Sequence, residues 1–211
     1  MIFELNEQLI FPDPELADED GLLAIGGDLS TERLMLAYQN GIFPWYSDET
    51  PILWYSPHER FVLFPDELHV SSSMRRAINS NKFRVTFDTC FDEVIAACSS
   101  VYRKDQDGTW ITEDMKKAYM QLHKEGYAHS IEVWQADELV GGMYGVMVGD
   151  VFCGESMFSK VSNASKMALI TLIKSGNYKL LDCQLHTEHL QLMGARMISR
   201  QEFLTALQKN S

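Results

Sequence analysis

What these 211 residues lack narrows the possibilities first. No apolar run approaches the roughly 20 residues that span a bilayer, so no membrane-embedded class is expected. The four cysteines, Cys90, Cys98, Cys153 and Cys183, never fall into a CxxC spacing. Small buried hydrophobes in a reducing compartment are the expectation. His186 and His189 stand three apart, but no carboxylate or thiolate at ligand spacing completes a set, so no metal is expected. The opening MIFELNEQLI is acidic rather than basic and has no small-residue cleavage pattern. A secretory leader is therefore not expected, and the cytoplasm is the expected location. Repeats and low-complexity tracts are absent too.

Basic charge is also scarce. The formal net charge is −12, which argues against nucleic acid at first sight. Its distribution weakens that exclusion. Residues 1–50 hold 11 acidic residues and one basic residue, Arg33, while the rest of the chain holds 17 basic and 19 acidic. A nearly balanced body can carry a local basic patch. SMRRAINSNKFR (Arg75, Arg76, Lys82, Arg84) and YRKD (Arg103, Lys104) are candidates, with solvated surface charge as the plainer explanation.

What is present reads as an α+β chain long enough for one large domain, or a domain with a small appendage. STERLMLAYQNG predicts a helix capped by Ser30 and ended by Gly41. The aromatic, proline-rich GIFPWYSDETPILWYSPHERFVLFP predicts short strands and tight turns. A small N-terminal domain over 1–65 and a larger one over 66–211 are expected. In the larger part SSSMRRAINS predicts a helix, FRVTFD a strand and FDEVIAACSS a second helix. ITEDMKKAYMQLHKEG predicts a helix with Thr112 as cap. Three strands follow across HSIEVWQADELVGGMYGVMVGDVFCGESMFS, then an amphipathic helix in SNASKMALITLIKSG. A strand in LLDCQL comes next, and a capping box from Ser199 to Glu202 opens the last helix. Helices flanking a mostly antiparallel sheet are the outcome.

Chemistry-bearing residues are few. In LLDCQL, alternation places Asp182 and Gln184 on one strand face, about 6.6 Å apart along the chain. A carboxylate and a carboxamide so placed suit orienting an amine and relieving it of a proton; polar residues on a solvated face are the alternative. In FCGESMFS, alternation sets Cys153, Glu155 and Met157 on one face. Glu155 between apolar neighbours is costly to bury without a cation, either an internal one or a ligand's ammonium. Met143, Met147 and Met157 suit core filling or an adaptable apolar pocket. Trp45 and Trp110 lie in loops, where indoles either pack or stack on bases.

The fragments GLLAIGGDLS, AYQNGIFPWYS, ILWYSPHER, GTWIT, AHSIEVW, ELVGGMYGV, FCGESMFS, NASKMAL and LLDCQL occur in fixed order between about residues 10 and 205. Together they closely resemble the leucyl/phenylalanyl-tRNA–protein transferases of bacteria. The resemblance implies a small N-terminal domain followed by one like the GCN5-related N-acetyltransferases. It implies transfer of Leu or Phe, and less readily Met, from aminoacyl-tRNA to proteins beginning with Arg or Lys, marking them for N-end-rule degradation. No cofactor is implied, because the donor is already an activated ester, and a monomer is expected. By the same resemblance Asp182 and Gln184 match a pair that draws a proton from the acceptor's α-ammonium, with Glu155 beside the reaction centre. Trp45 and Trp110 match aromatic positions near the tRNA 3′ end. Tyr38, Met143, Phe152 and Met157 match the pocket for the apolar side chain, and Arg75, Arg76 and Arg84 match a grip on the acceptor stem. An acyl-CoA N-acyltransferase is the first rival, but SKVSNASKMAL lacks the glycines of a pyrophosphate loop. A non-catalytic tRNA- or peptide-binding module is the second.

Overall fold

Residues 2–101 and 111–208 are described by the computed structural model. The first elements are β1 (Phe3–Leu5), β2 (Leu22–Gly26), α1 (Thr31–Gln39), β3 (Phe43–Pro44) and β4 (Leu53–Tyr55). Their strands form a small sheet in the order β1-β2-β4-β3, with β1 parallel to β2 and the other pairs antiparallel. The Ser30 hydroxyl accepts the Arg33 N–H at 3.4 Å and caps α1. Gly41, at φ +69°, turns the chain out of that helix.

The remaining elements are β5 (Glu59–Leu63), α2 (Ser72–Asn79), β6 (Arg84–Phe87), α3 (Phe91–Ser99), α4 (Glu113–Lys124), β7 (Ala128–Gln135), β8 (Glu138–Val148) and β9 (Val151–Ser159). They continue with α5 (Ala164–Lys174), β10 (Leu180–Gln184), α6 (Glu188–Gln191), β11 (Arg196–Ser199) and α7 (Arg200–Gln208). The strands make a seven-stranded sheet, β11-β5-β10-β9-β8-β7-β6. Every pair in it is antiparallel except β9 with β10. The expected α+β class, with a meander followed by a helix and a further strand, is what forms. β5 lies on the N-terminal side of residue 65, yet both its partners, β10 and β11, belong to the larger sheet.

Two apolar cores lie on the two faces of that sheet. One face meets α3 and α4 through Phe91, Val94, Ile95, Met115 and Leu122, and its core runs on into Leu34, Tyr38 and Trp54 of the N-terminal part. The other face is covered by α5. Helix α5 is not the amphipathic helix expected: Ala164, Met167, Ala168, Leu169, Ile170, Leu172 and Ile173 are all buried. It is apolar nearly all round because α2, through Met74, closes over its outer side.

The capping box expected at α7 forms: Glu202 accepts the Ser199 N–H at 2.9 Å and its own N–H reaches the Ser199 hydroxyl at 3.2 Å. The three glycines of strand β8 have a packing reason. A Cβ on Gly145 would run into the Cys153 carbonyl oxygen and the Phe152 ring. Gly145→Ala should therefore destabilise the protein by about 1–3 kcal/mol through overpacking. That corresponds to a drop of roughly 2–12 °C in Tm for a chain of this size, readable by circular dichroism melting. An unchanged Tm would mean that β8 and β9 do not approach as closely as described.

Candidate active site

The parallel pairing of β9 with β10 runs from Val151↔Leu180 to Cys153↔Asp182 and stops, although β9 continues against β8 to Ser159. Two local irregularities part the strands. In β9, Gly154 faces Gly145 while Ser156 faces Tyr144, so Glu155 is the extra residue of a bulge. In β10, the register against β5 shifts between Asp182 and Gln184, and Gln184 sits at φ +61°. A left-handed residue cannot continue a strand. Between the parted strands opens a cavity of about 570 Å³. Gly154 to Met157 form one wall and the turn from Cys183 to Thr187 the other. Met143, Leu169, Leu181 and Leu190 contribute apolar surface, and Phe43, Pro44 and Trp45 come from the N-terminal part.

These irregularities correct two expectations drawn from alternation. Asp182 and Gln184 do not share a solvated face. Asp182 is fully buried, with its carboxylate turned to Arg60, and its Oδ1 accepts the Gln184 backbone N–H at 2.9 Å. Nor do Cys153, Glu155 and Met157 share a face. The bulge changes the phase, so Cys153 enters the core under α3 while Met157 packs with the core under α5.

Arg60 and Asp182 form a buried forked ion pair. Arg60 Nε lies 3.0 Å from Oδ1 and 3.2 Å from Oδ2, and its terminal nitrogen lies 2.8 Å from Oδ2. The other Arg60 nitrogen donates to the Gly41 carbonyl at 3.0 Å. The guanidinium also lies 4.6 Å from the ring centres of both Phe43 and Phe203.

Glu155 is 8% exposed and forms no ion pair among the described residues; the Arg60 guanidinium acts on it only through space, being bonded to Asp182. Its carboxylate instead accepts from three neutral donors: Tyr38 Oη at 2.7 Å, Tyr119 Oη at 3.0 Å and Gln184 Nε2 at 2.8 Å. The two hydroxyls also lie within hydrogen-bond reach of each other, and since each phenol has one proton, all three contacts are made at once only when the Glu155 carboxyl carries a proton of its own. Burial, then the nearby Glu155 charge, pushes both phenols well above their ordinary value, so they remain donors. Burial pushes the Glu155 carboxyl up to about 7; the tyrosine bonds oppose the rise and the Asp182 charge adds to it. Gln184 turns its amide nitrogen to Glu155, so its carbonyl oxygen is not the atom that meets that carboxylate.

Of the residues singled out in the sequence, Trp45, Met143, Glu155, Met157, Asp182 and Gln184 line this one cavity, and Tyr38 reaches it through Glu155. Trp45 is half-buried at the mouth, tilted against Tyr55. Phe152 is elsewhere: fully buried, edge-on to Tyr178 at 5.3 Å, and outside the cavity lining. Arg75 and Arg76 are exposed on α2, and Arg84 is exposed on edge strand β6 with its guanidinium over the Trp134 ring. Trp110, Arg103 and Lys104 lie outside the described residues. Arg60 and Tyr119 were not singled out. Arg60 carries a signal, a charge set directly before the buried run Phe61-Val62-Leu63. Tyr119 carries none beyond its place on the buried face of α4.

A family model described as leucyl/phenylalanyl-tRNA protein transferase matches residues 62–208, and one for that family's N-terminal domain matches residues 27–58. The leucyl/phenylalanyl-tRNA–protein transferase of Syntrophobacter fumaroxidans is 57% identical over 99% of this chain and 91% of its own. That of Flavobacterium psychrophilum is 58% identical over 97% of this chain and 99% of its own. Among solved structures, FemX aligns over 80% of this chain and 66% of its own at 9% identity, with a TM-score of 0.47. A GCN5-related N-acetyltransferase from Kribbella flavida aligns over 76% and 58% at 8% identity, with a TM-score of 0.41.

The raised Glu155 carboxyl has a consequence for stability. The folded protein holds this proton up to about pH 7, whereas the unfolded chain releases it near 4.5. Between those values the native state binds more protons, so this group's contribution to stability falls as pH rises. Over the whole window the loss is about 3 kcal/mol. Glu155→Gln cannot titrate and should lack that loss. Urea denaturation at pH 4.5 and pH 7.5 should show the variant gaining about 3 kcal/mol on wild type between the two. Parallel pH dependences would refute the assignment.

Proposed function

Because this chain belongs to the leucyl/phenylalanyl-tRNA–protein transferase family, it moves an aminoacyl group from tRNA to a protein, and we propose that Glu155 and Gln184 receive the attacking amine in the cavity. The proposed donors are Leu, Phe and, less readily, Met. The proposed acceptors are proteins beginning with Arg or Lys, which the transfer marks for N-end-rule degradation. The acceptor's α-amine attacks the ester carbonyl; the new C–N bond forms and the bond to the ribose oxygen breaks. The amine gives up a proton, and the ribose oxygen leaves as a hydroxyl.

A cavity carboxylate poised near neutrality is the observation that carries this reading. An α-ammonium has a pKa near 7.7–8.0, about one unit above the Glu155 carboxyl, so moving the proton costs only about 1.4 kcal/mol. The Gln184 side chain, bonded to Glu155 through its nitrogen, has a carbonyl oxygen that can accept an N–H from the same amine. Asp182 has a different part. Its oxygens already accept from Arg60 and from the Gln184 N–H, so it acts by fixing Gln184. Orientation of this kind is the larger contribution, about 7–11 kcal/mol where reactants are well aligned.

Met143, Met157, Leu169 and Leu181 supply flexible apolar surface for the donor side chain. Such a wall separates side chains by only about 1–3 kcal/mol per methylene, consistent with a small set of donors. Trp45 at the mouth suits stacking with the tRNA 3′ end, and Trp110 is proposed as its companion. Exposed Arg75, Arg76 and Arg84 suit the phosphates of the acceptor stem.

The decisive assay is transfer of labelled leucine from charged tRNA to a peptide beginning with Arg, beside one beginning with Gly. Label should pass to the first only, with a rate that rises through about pH 7 as Glu155 ionises. Glu155→Gln should lower that rate about 100-fold or more. Label retained on the RNA in the presence of the Arg peptide sinks the reading. For the RNA grip, replacing Arg75, Arg76 and Arg84 by alanine should flatten the slope of log affinity against log salt by about 2–3. An unchanged slope would remove these residues from the interface.

A further inference from the structure

Glu155 is held by donors from three segments far apart in sequence, carrying Tyr38, Tyr119 and Gln184, and two of these segments share a further tie. Tyr38 sits near the end of α1, one turn before Gly41, and Gln184 sits at the end of β10. A single guanidinium bonds both segments. Arg60 donates to the Gly41 carbonyl, where α1 ends, and to the Asp182 carboxylate, which in turn accepts the Gln184 N–H. The Oδ1 that takes the Gln184 N–H at 2.9 Å is the same oxygen that takes Arg60 Nε at 3.0 Å. That i to i+2 bond is an Asx turn, the local device that makes a left-handed residue tolerable. The fork supplies three of the hydrogen bonds described for the Asp182 carboxylate, beside the one from the Gln184 N–H, and so does most to fix the rotation of that side chain.

Building on the role given above to Glu155 and Gln184, we propose that Arg60 is a positioning residue for the transfer reaction. Its buried fork sets the Gln184 turn and the end of α1 together, so that amide and phenol meet one carboxylate. Lysine cannot reproduce this, because an ammonium is a point charge with no planar fork to span two oxygens and a carbonyl. The rings of Phe43 and Phe203, from β3 and α7, pack against the buried guanidinium and help keep water from competing. Phe43 is itself part of the cavity wall, so the same stack ties the C-terminal helix to the site.

Three variants test this: Arg60→Lys, Arg60→Met combined with Asp182→Leu, and Glu155→Gln as reference. Replacing both members of a buried pair by apolar residues often preserves stability, so the double variant separates folding from positioning. Transfer to an Arg-initiated peptide is measured across pH 6–8.5, beside urea denaturation of each protein. Arg60→Lys and the double variant should lose about 10- to 100-fold in kcat, with the acceptor KM within about threefold of wild type. The acid limb of the pH profile should also move upward in both, because a loosened Gln184 no longer gives the hydrogen bond that lowers the Glu155 carboxyl, while the Asp182 and Arg60 charges, which act on Glu155 in opposite senses, are kept together or lost together. A stable double variant turning over at the wild-type rate with an unmoved limb overturns the proposal. So does a loss in Arg60→Lys that merely tracks its unfolded fraction. Should Glu155→Gln itself retain full activity, the reading of the site fails instead, and the two failures are told apart.

Discussion

Two parallel strands that stay paired only as far as Cys153 and Asp182 are the constraint on which the rest depends. A parallel ladder needs both chains extended at the same level, and here neither is. An inserted residue bends β9 at Glu155, and a left-handed residue ends β10 at Gln184. Either irregularity alone would leave a frayed edge. Together they open a cavity at whose apex, where the strands part, the polar side chains of Glu155, Asp182 and Gln184 gather. Met143, Met157 and Leu181 add apolar surface to the same cavity.

The two carboxylates near the apex behave oppositely because their surroundings differ. Asp182 is matched by a guanidinium and is held as one half of a structural pair. Glu155 is matched only by hydroxyls and an amide, which soften but do not cancel the penalty of burial. One acid is thereby given over to geometry and the other left near neutrality. This division of roles by environment is the general way a fold obtains different behaviour from the same functional group. The Arg60 guanidinium is bonded to Asp182 rather than to Glu155; a fork made to Glu155 instead would hold its carboxyl far below the pKa of an amine.

Features set by nearby residues are legible in the sequence. The caps at Ser30 and Thr112, the box from Ser199 to Glu202 and the meander of β7, β8 and β9 all follow from patterns a few residues long. The bulge and the left-handed turn are not legible, because strict alternation assumes an unbroken pleat. Each break moves side chains to the other face, so the pattern finds the residues while mistaking their orientation. Arg60 escapes for another reason. Its partner is 122 residues away, and only the fold brings them together. The awkwardness of a charge abutting a buried apolar run is the available hint, and it points to a partner without saying which. Tyr119, on the inward face of a well-formed helix, is indistinguishable in sequence from an aromatic that merely packs.

The charge distribution reads differently once the sheet order is known. On the proposed function the chain must attract both a polyanion and a cationic peptide end, which no uniform surface can do. Residues 1–50, with 11 acids against a single base, supply the Phe43–Trp45 wall of the cavity. Arg84 lies on β6, three strands from β9. At roughly 4.8 Å between neighbouring strands, that separation is about 14 Å. The Debye length at 0.1 M salt is about 10 Å, so the two regions are largely screened from each other. An acidic protein can therefore hold RNA on one edge of its sheet while its cavity mouth remains attractive to a cation. The net charge of −12 describes neither surface. On the proposed function, each substrate would answer to the local field where it lands, and the seven-stranded sheet is wide enough to keep two such fields apart.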